Sequence, residues 1–274
     1  MDTENDKDQE HSLIPIDEHE EVVSEDGRKI RRKGIYLLPN LLTLGALFAG
    51  FYAIIAGMSG NFNEAGWAIL IAAVLDGLDG RVARLTNTQS AFGAQFDSLS
   101  DMVSFGVAPA LIIFSWALSS LGEAGWAASF IYIACAALRL ARFNVQLGTA
   151  DKRFFVGLQS PVAAGLVTFV AWVGFKYGIE ITPVVAFGTA VLTAFTGILM
   201  ISNYRYFSFK EIHFKGRVPY VVFLMAVVLL VVIAQNPHDV LLAMCILYGA
   251  SGPAIWLYRM PSSKLRKSGS AGGS

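Results

Sequence analysis

Four aspartates, Asp76, Asp79, Asp97 and Asp101, fall within a 26-residue stretch whose surroundings are largely apolar. An acid at the centre of a bilayer-spanning helix costs roughly 2.5–3.5 kcal/mol on insertion scales, which makes intramembrane acids functional candidates by default. Four together would also repel one another unless cations neutralised them. At about 100° per residue, Asp76, Asp79, Gly80, Ala83 and Arg84 share one helical stripe roughly 140° wide. Gly93, Asp97 and Asp101 are spaced i, i+4 and i+8, a single narrow face of the next helix. The polar link over 85–92 is short enough to make the two helices antiparallel neighbours, so the carboxylates converge on one pocket. Oxygen-only donors suit hard cations such as Mg²⁺ or Mn²⁺. Two such ions about 3.5–4 Å apart are suited to displacement at phosphorus. Small Gly80 and Ala83 leave room for a bulky ligand, and Arg84 offers a cation for phosphate oxygens. Salt bridges from Asp76 and Asp79 to Arg81 and Arg84 would be a plainer reading, but they leave Asp97 and Asp101 unexplained.

The elements that carry these residues are membrane spans. Hydrophobic residues make up 54% of the 274, charged ones 15%, and the mean hydropathy is +0.53, well away from soluble averages. The formal net charge of zero hides a segregation: residues 1–26 hold eleven of the 21 acids, with Lys7 as their only base. A basic run from Arg28 to Lys33 follows. Bilayer crossing needs about 17–25 apolar residues, and eight such runs are present: 36–57, 63–80, 94–118, 125–143, 160–176, 183–202, 218–235 and 239–258. In lipid these must be helices, because backbone groups have to be satisfied within the segment. Lysine and arginine fall almost wholly on one side, 20 of the 21, with Lys176 alone on the other. That asymmetry predicts that both termini face the cytoplasm. Cys135 and Cys245 lie in apolar surroundings at no metal-binding spacing, and read as packing residues.

The expected fold is therefore an all-α, polytopic membrane bundle of about eight helices. Residues 1–33 read as a mostly disordered cytoplasmic arm, 34–212 as a six-span core, 213–260 as two added spans and 261–274 as a flexible tail. Nothing points to a nucleic-acid partner. A channel or transporter using the aspartates as a cation path is disfavoured, because spans five to eight have no acid to continue the route beyond Asp239 at the opposite end of the last one.

The run Asp76-x2-Asp79-Gly80-x2-Ala83-Arg84-x8-Gly93-x3-Asp97-x3-Asp101 resembles the CDP-alcohol phosphotransferase signature at all eight fixed positions. The resemblance implies that Asp76, Asp79 and Asp97 hold the metal ions and that Asp101 completes the metal site and acts as the general base. It also implies that Gly80, Ala83 and Arg84 line the cytidine diphosphate site, and that the protein is a homodimer. Further stretches, Pro39–Thr43, Leu138–Asn144, Gly157–Pro161 and Leu199–Lys210, resemble the bacterial, membrane-embedded branch of that family that joins CDP-diacylglycerol to L-serine. Glycerol 3-phosphate, inositol phosphate or choline are the alternative acceptors. Arg142 and Asn144, at the cytoplasmic end of the fourth span, are the candidate acceptor-binding pair, the alternative being a helix-end anchor. Arg139, Arg205 and Lys210 read as anchors that meet anionic head groups. A phospholipase-D-type His-x-Lys-x4-Asp motif is excluded: His213-Phe-Lys215 begins one, but position 220 is tyrosine. No histidine is well placed as a base, which leaves that role to a carboxylate.

Overall fold

The computed structural model describes residues 23–25, 28–30, 37–86, 90–146, 154–207 and 220–259. Nine α-helices are described: α1 Leu37–Met58, α2 Phe62–Leu85, α3 Ala91–Asp101, α4 Ala108–Trp116, α5 Glu123–Gln146, α6 Ser160–Lys176, α7 Pro183–Ile201, α8 Tyr220–Gln235 and α9 Pro237–Arg259. With α3 and α4 joined by a π-helical stretch, they correspond one to one with the eight expected spans. The segments 37–58, 92–116, 123–145, 183–201 and 237–256 are each long and apolar enough to cross a membrane. The charged residues of α2 and the shorter lengths of α6, 17 residues, and α8, 16 residues, set those three apart. Large apolar side chains such as Phe48, Phe51, Val184 and Phe187 point outward, as lipid-facing residues must. The chain is a multi-pass membrane protein.

Short antiparallel strands lie outside the spans. β1 (Val23–Glu25) pairs with β2 (Arg28–Ile30), which puts a hairpin within the arm expected to be mostly disordered. β3 (Phe154–Val156) pairs with β4 (Arg205–Phe207), Phe155 opposite Tyr206, and so ties the loop before α6 to the loop after α7. Apart from that hairpin, the arm and the tail expected at 261–274 lie outside the described residues.

Small residues set how closely the helices approach. Ala46, Ala49 and Ala53 of α1 and Ala65, Ala68 and Ala72 of α2 are all buried, and these two helices form the most extensive pair. In lipid, where hydrophobicity does not distinguish partner from solvent, such close packing drives association. Gly66 of α2 lies against the indole of Trp172 on α6. That ring is held by a 2.8 Å hydrogen bond from its Nε1 to Asn63 Oδ1 and by an edge contact with Trp67. A methyl group at position 66 therefore meets a ring with nowhere to go. Gly66→Ala is expected to destabilise by roughly 1–3 kcal/mol, read as a lower Tm in detergent with unchanged turnover per folded molecule.

The α3–α4 span is interrupted by the π-helical segment Met102–Val107, directly after Asp101. Pro109 has no N–H to give Phe105 O four residues earlier, and the hydroxyl of Tyr132 on α5 donates to that carbonyl instead, at 3.0 Å. The wide turn shifts the helical phase. Asp97 and Asp101 stay with the aspartate cluster while Ser104 faces α1 and donates to Ala46 O at 3.0 Å. Such π-turns are frequent at functional sites.

Candidate active site

The site is built from the last third of α2 and the second half of α3. Ser90 caps α3 by accepting the Gly93 N–H at 2.9 Å, which fixes where the helix bearing Asp97 and Asp101 starts. Asp76, Asp97 and Asp101 each offer a carboxylate oxygen, and these oxygens lie within 4.8 Å of one another. Asp79 stands beside the trio, close enough to interact electrostatically with Asp76 and Asp97. It is 5% exposed, and Thr43 Oγ1 of α1 donates to its Oδ2 at 2.6 Å. Ser100 of α3 donates to Thr43 O at 3.2 Å, so one residue of α1 braces both motif helices.

Like charges at this spacing repel by roughly 3 kcal/mol per pair at an effective dielectric constant of about 20. A cation placed among them would offset that repulsion. The cluster's donors are all oxygen, the set that suits a hard divalent cation, so the residues present fit a metal.

Beside the aspartates on α2, Gly80 and Ala83 are half-buried and Arg84 is exposed. A Cβ placed on Gly80 would meet nothing within 4 Å but Arg84 Nη1, at 3.7 Å. Packing within the chain therefore gives no reason for a glycine there. The space beside Gly80 is open.

Arg142, Asn144 and Arg139, expected as acceptor ligands or anchor, separate clearly. Arg142 is exposed and turns to the end of α7, where Nη2 donates to Asn203 Oδ1 at 3.0 Å and Nη1 to Ile201 O at 3.4 Å. Asn144 is hydrogen-bonded to Ser98 Oγ at 3.1 Å, which joins α5 to α3. Arg139, read from sequence as an anchor, instead faces the cluster, in electrostatic interaction with Asp76 and Asp101. It is half-buried, donates from Nη1 to Ser160 Oγ, and keeps its buried Nε without a hydrogen-bond partner among the described residues. Lys210 and the side chain of Arg205 lie outside the described residues. Sequence reasoning also passed over Thr43, Gln159 and Ser160, although all three stand in the stretches that carried the resemblance.

Residues 36–256 match the CDP-alcohol phosphatidyltransferase family. Curated relatives agree. The CDP-diacylglycerol–serine O-phosphatidyltransferase of Helicobacter pylori strain J99 is 38% identical over 239 residues, 86% of this chain and 98% of that protein. The protein of the same name from Mycobacterium leprae is 40% identical over 154 residues, 54% of this chain and 50% of that protein. The archaetidylserine synthase of Methanothermobacter thermautotrophicus is 35% identical over 171 residues, 62% of this chain and 69% of that protein. The chain belongs to the CDP-alcohol phosphatidyltransferase family. The match extends through α8 and most of α9, beyond residue 212 where the sequence motifs end.

Proposed function

We propose that this protein transfers the phosphatidyl group of CDP-diacylglycerol to L-serine, forming phosphatidylserine and CMP. The observation that carries the choice of acceptor is Arg139: a half-buried guanidinium whose buried Nε has no hydrogen-bond partner among the described residues, on the side of the aspartate cluster. Arginine matches a carboxylate through paired N–H donors, and serine carries one where choline does not; glycerol 3-phosphate and inositol phosphate offer a phosphate that arginine also binds, so against them the choice rests on the relatives. The names of the relatives point to the same substrate.

Asp76, Asp79, Asp97 and Asp101 would hold the divalent ions, two of Mg²⁺ or Mn²⁺, with Asp79 kept in place by Thr43. When bound, such ions polarise the diphosphate and offset the charge on the departing CMP. Gly80 and Ala83 leave the space in which the cytidine diphosphate lies, and Arg84 binds its phosphate oxygens. Arg139 fixes the serine carboxylate and so orients the hydroxyl toward the phosphorus. Asp101 takes the hydroxyl proton as the serine oxygen bonds to the phosphorus and the bond from phosphorus to the CMP oxygen breaks. Serine reaches the site from the cytoplasm, and the lipid enters sideways from the inner membrane, with both termini on the cytoplasmic side. Residues 34–212 form the catalytic core in this reading, and the enzyme works as a homodimer.

Identification of the lipid product tests the choice of acceptor. Purified protein supplied with CDP-diacylglycerol and an equimolar mixture of serine, glycerol 3-phosphate, inositol phosphate and choline should yield phosphatidylserine. A different lipid as the main product would overturn the assignment of Arg139 while leaving the metal site intact. The donor side has its own test. Gly80→Val should raise the KM for CDP-diacylglycerol by about tenfold through steric crowding, with Tm and the KM for serine near wild type.

A further inference from the structure

Helix α9 is held to the core at both ends. At one end Lys176, the last residue of α6, and Tyr177 after it meet Asp239 at 3.1 and 2.9 Å, with His238 3.3 Å from the same carboxylate oxygen. From the middle of the helix towards its other end an aromatic stack forms. Tyr206 of β4 is fully buried, donates to Gly249 O at 3.1 Å and stacks on Tyr248 with ring centroids 5.4 Å apart. Gly252 admits the Tyr206 ring where any side chain would collide with it. Packing alone accounts for the rings. It does not account for the Tyr248 hydroxyl, which accepts a 3.1 Å hydrogen bond from Gln159 Nε2.

Gln159 occupies the N-cap position of α6, yet its side chain makes no capping bond and reaches to α9 instead. Just before it, Gly157 adopts φ +84° with its missing Cβ directed at Met200 O, a conformation and a proximity that favour glycine. The residue after Gln159 is Ser160, whose Oγ accepts from Arg139. Tyr248 also interacts electrostatically with Arg139 itself.

We infer that Tyr248 is a positioning residue for the acceptor side of the active site, its hydroxyl holding Gln159 and the start of α6 so that Ser160 and Arg139 keep their places. The C-terminal helix is then part of the acceptor site and not only an added span. This inference rests on the assignment of Arg139 to the serine carboxylate.

Tyr248→Phe keeps the stacking ring and removes the oxygen. It should raise the KM for serine about 3–10-fold, the effect of one lost hydrogen bond, with kcat and the KM for CDP-diacylglycerol within about twofold of wild type. Gln159→Leu should produce the same shift, and the double variant should be no worse than either single one, because both remove the same bond. Lys176→Gln, which loosens the opposite end of α9, should lower Tm without moving the KM for serine. An unchanged serine KM in Tyr248→Phe, or equal effects on serine and donor, would overturn the inference. Failure of the underlying assignment is recognised separately: Arg139→Gln would then leave the serine KM unchanged as well.

Discussion

Asp101→Asn is expected to lower kcat by about 10²–10⁴-fold, the range typical of losing a general base, while the protein folds and binds its donor. Asparagine has nearly the shape of aspartate, and it removes one of three acids whose oxygens lie within 4.8 Å of one another. The lost repulsion offsets the lost cation ligand, so Tm in the absence of divalent metal should equal or exceed that of wild type. Asparagine cannot accept the proton of the serine hydroxyl. Binding of CDP-diacylglycerol, followed by isothermal calorimetry in detergent, should remain within about tenfold. A variant with kcat within twofold of wild type would remove Asp101 from the proton transfer.

The second large effect falls on Arg139. Truncating one partner of a buried, hydrogen-bonded charge pair costs about 2–5 kcal/mol, so Arg139→Gln should raise the KM for serine by about 30-fold or more. The KM for CDP-diacylglycerol should change little, because the donor's proposed contacts are on α2. Arg139→Lys should recover only part of the loss: an ammonium keeps the charge but lacks the planar fork that pairs with a carboxylate. Steady-state kinetics with each substrate varied in turn separates these outcomes. Parallel increases in both KM values would indicate a general collapse of the site instead. Since Arg139 also faces Asp76 and Asp101, both variants should lower Tm, and Arg139→Gln should lower it more.

The spans were legible because lipid leaves a strong imprint on composition. Runs such as Leu41–Met58 and Val184–Ile201 contain almost no polar atoms to compete with a helical reading. The aspartates were legible for the opposite reason: charges at i, i+3 and i, i+4 spacing are costly in an apolar helix unless something gathers them. The choice between Arg139 and Arg142 was not legible. They lie three residues apart on α5, about 60° from each other around the axis, so periodicity puts both on nearly the same face. Depth decides between them. Arg139 sits almost a turn further into the bundle beside Ser160, while Arg142 reaches the end of α7. The π-turn was hidden as well, since Met102–Val107 has no composition that distinguishes it from an ordinary helix, although Pro109 marked a carbonyl in need of another donor. The role of α9 escaped because it depends on one tyrosine hydroxyl meeting a glutamine 89 positions away.

The most direct measurement is CMP release from CDP-diacylglycerol by the detergent-purified protein with Mg²⁺ or Mn²⁺, with and without L-serine. The account predicts release that requires both the divalent ion and serine, with one phosphatidylserine formed for each CMP. Release that is indifferent to serine, or no release with any acceptor alcohol, would contradict it.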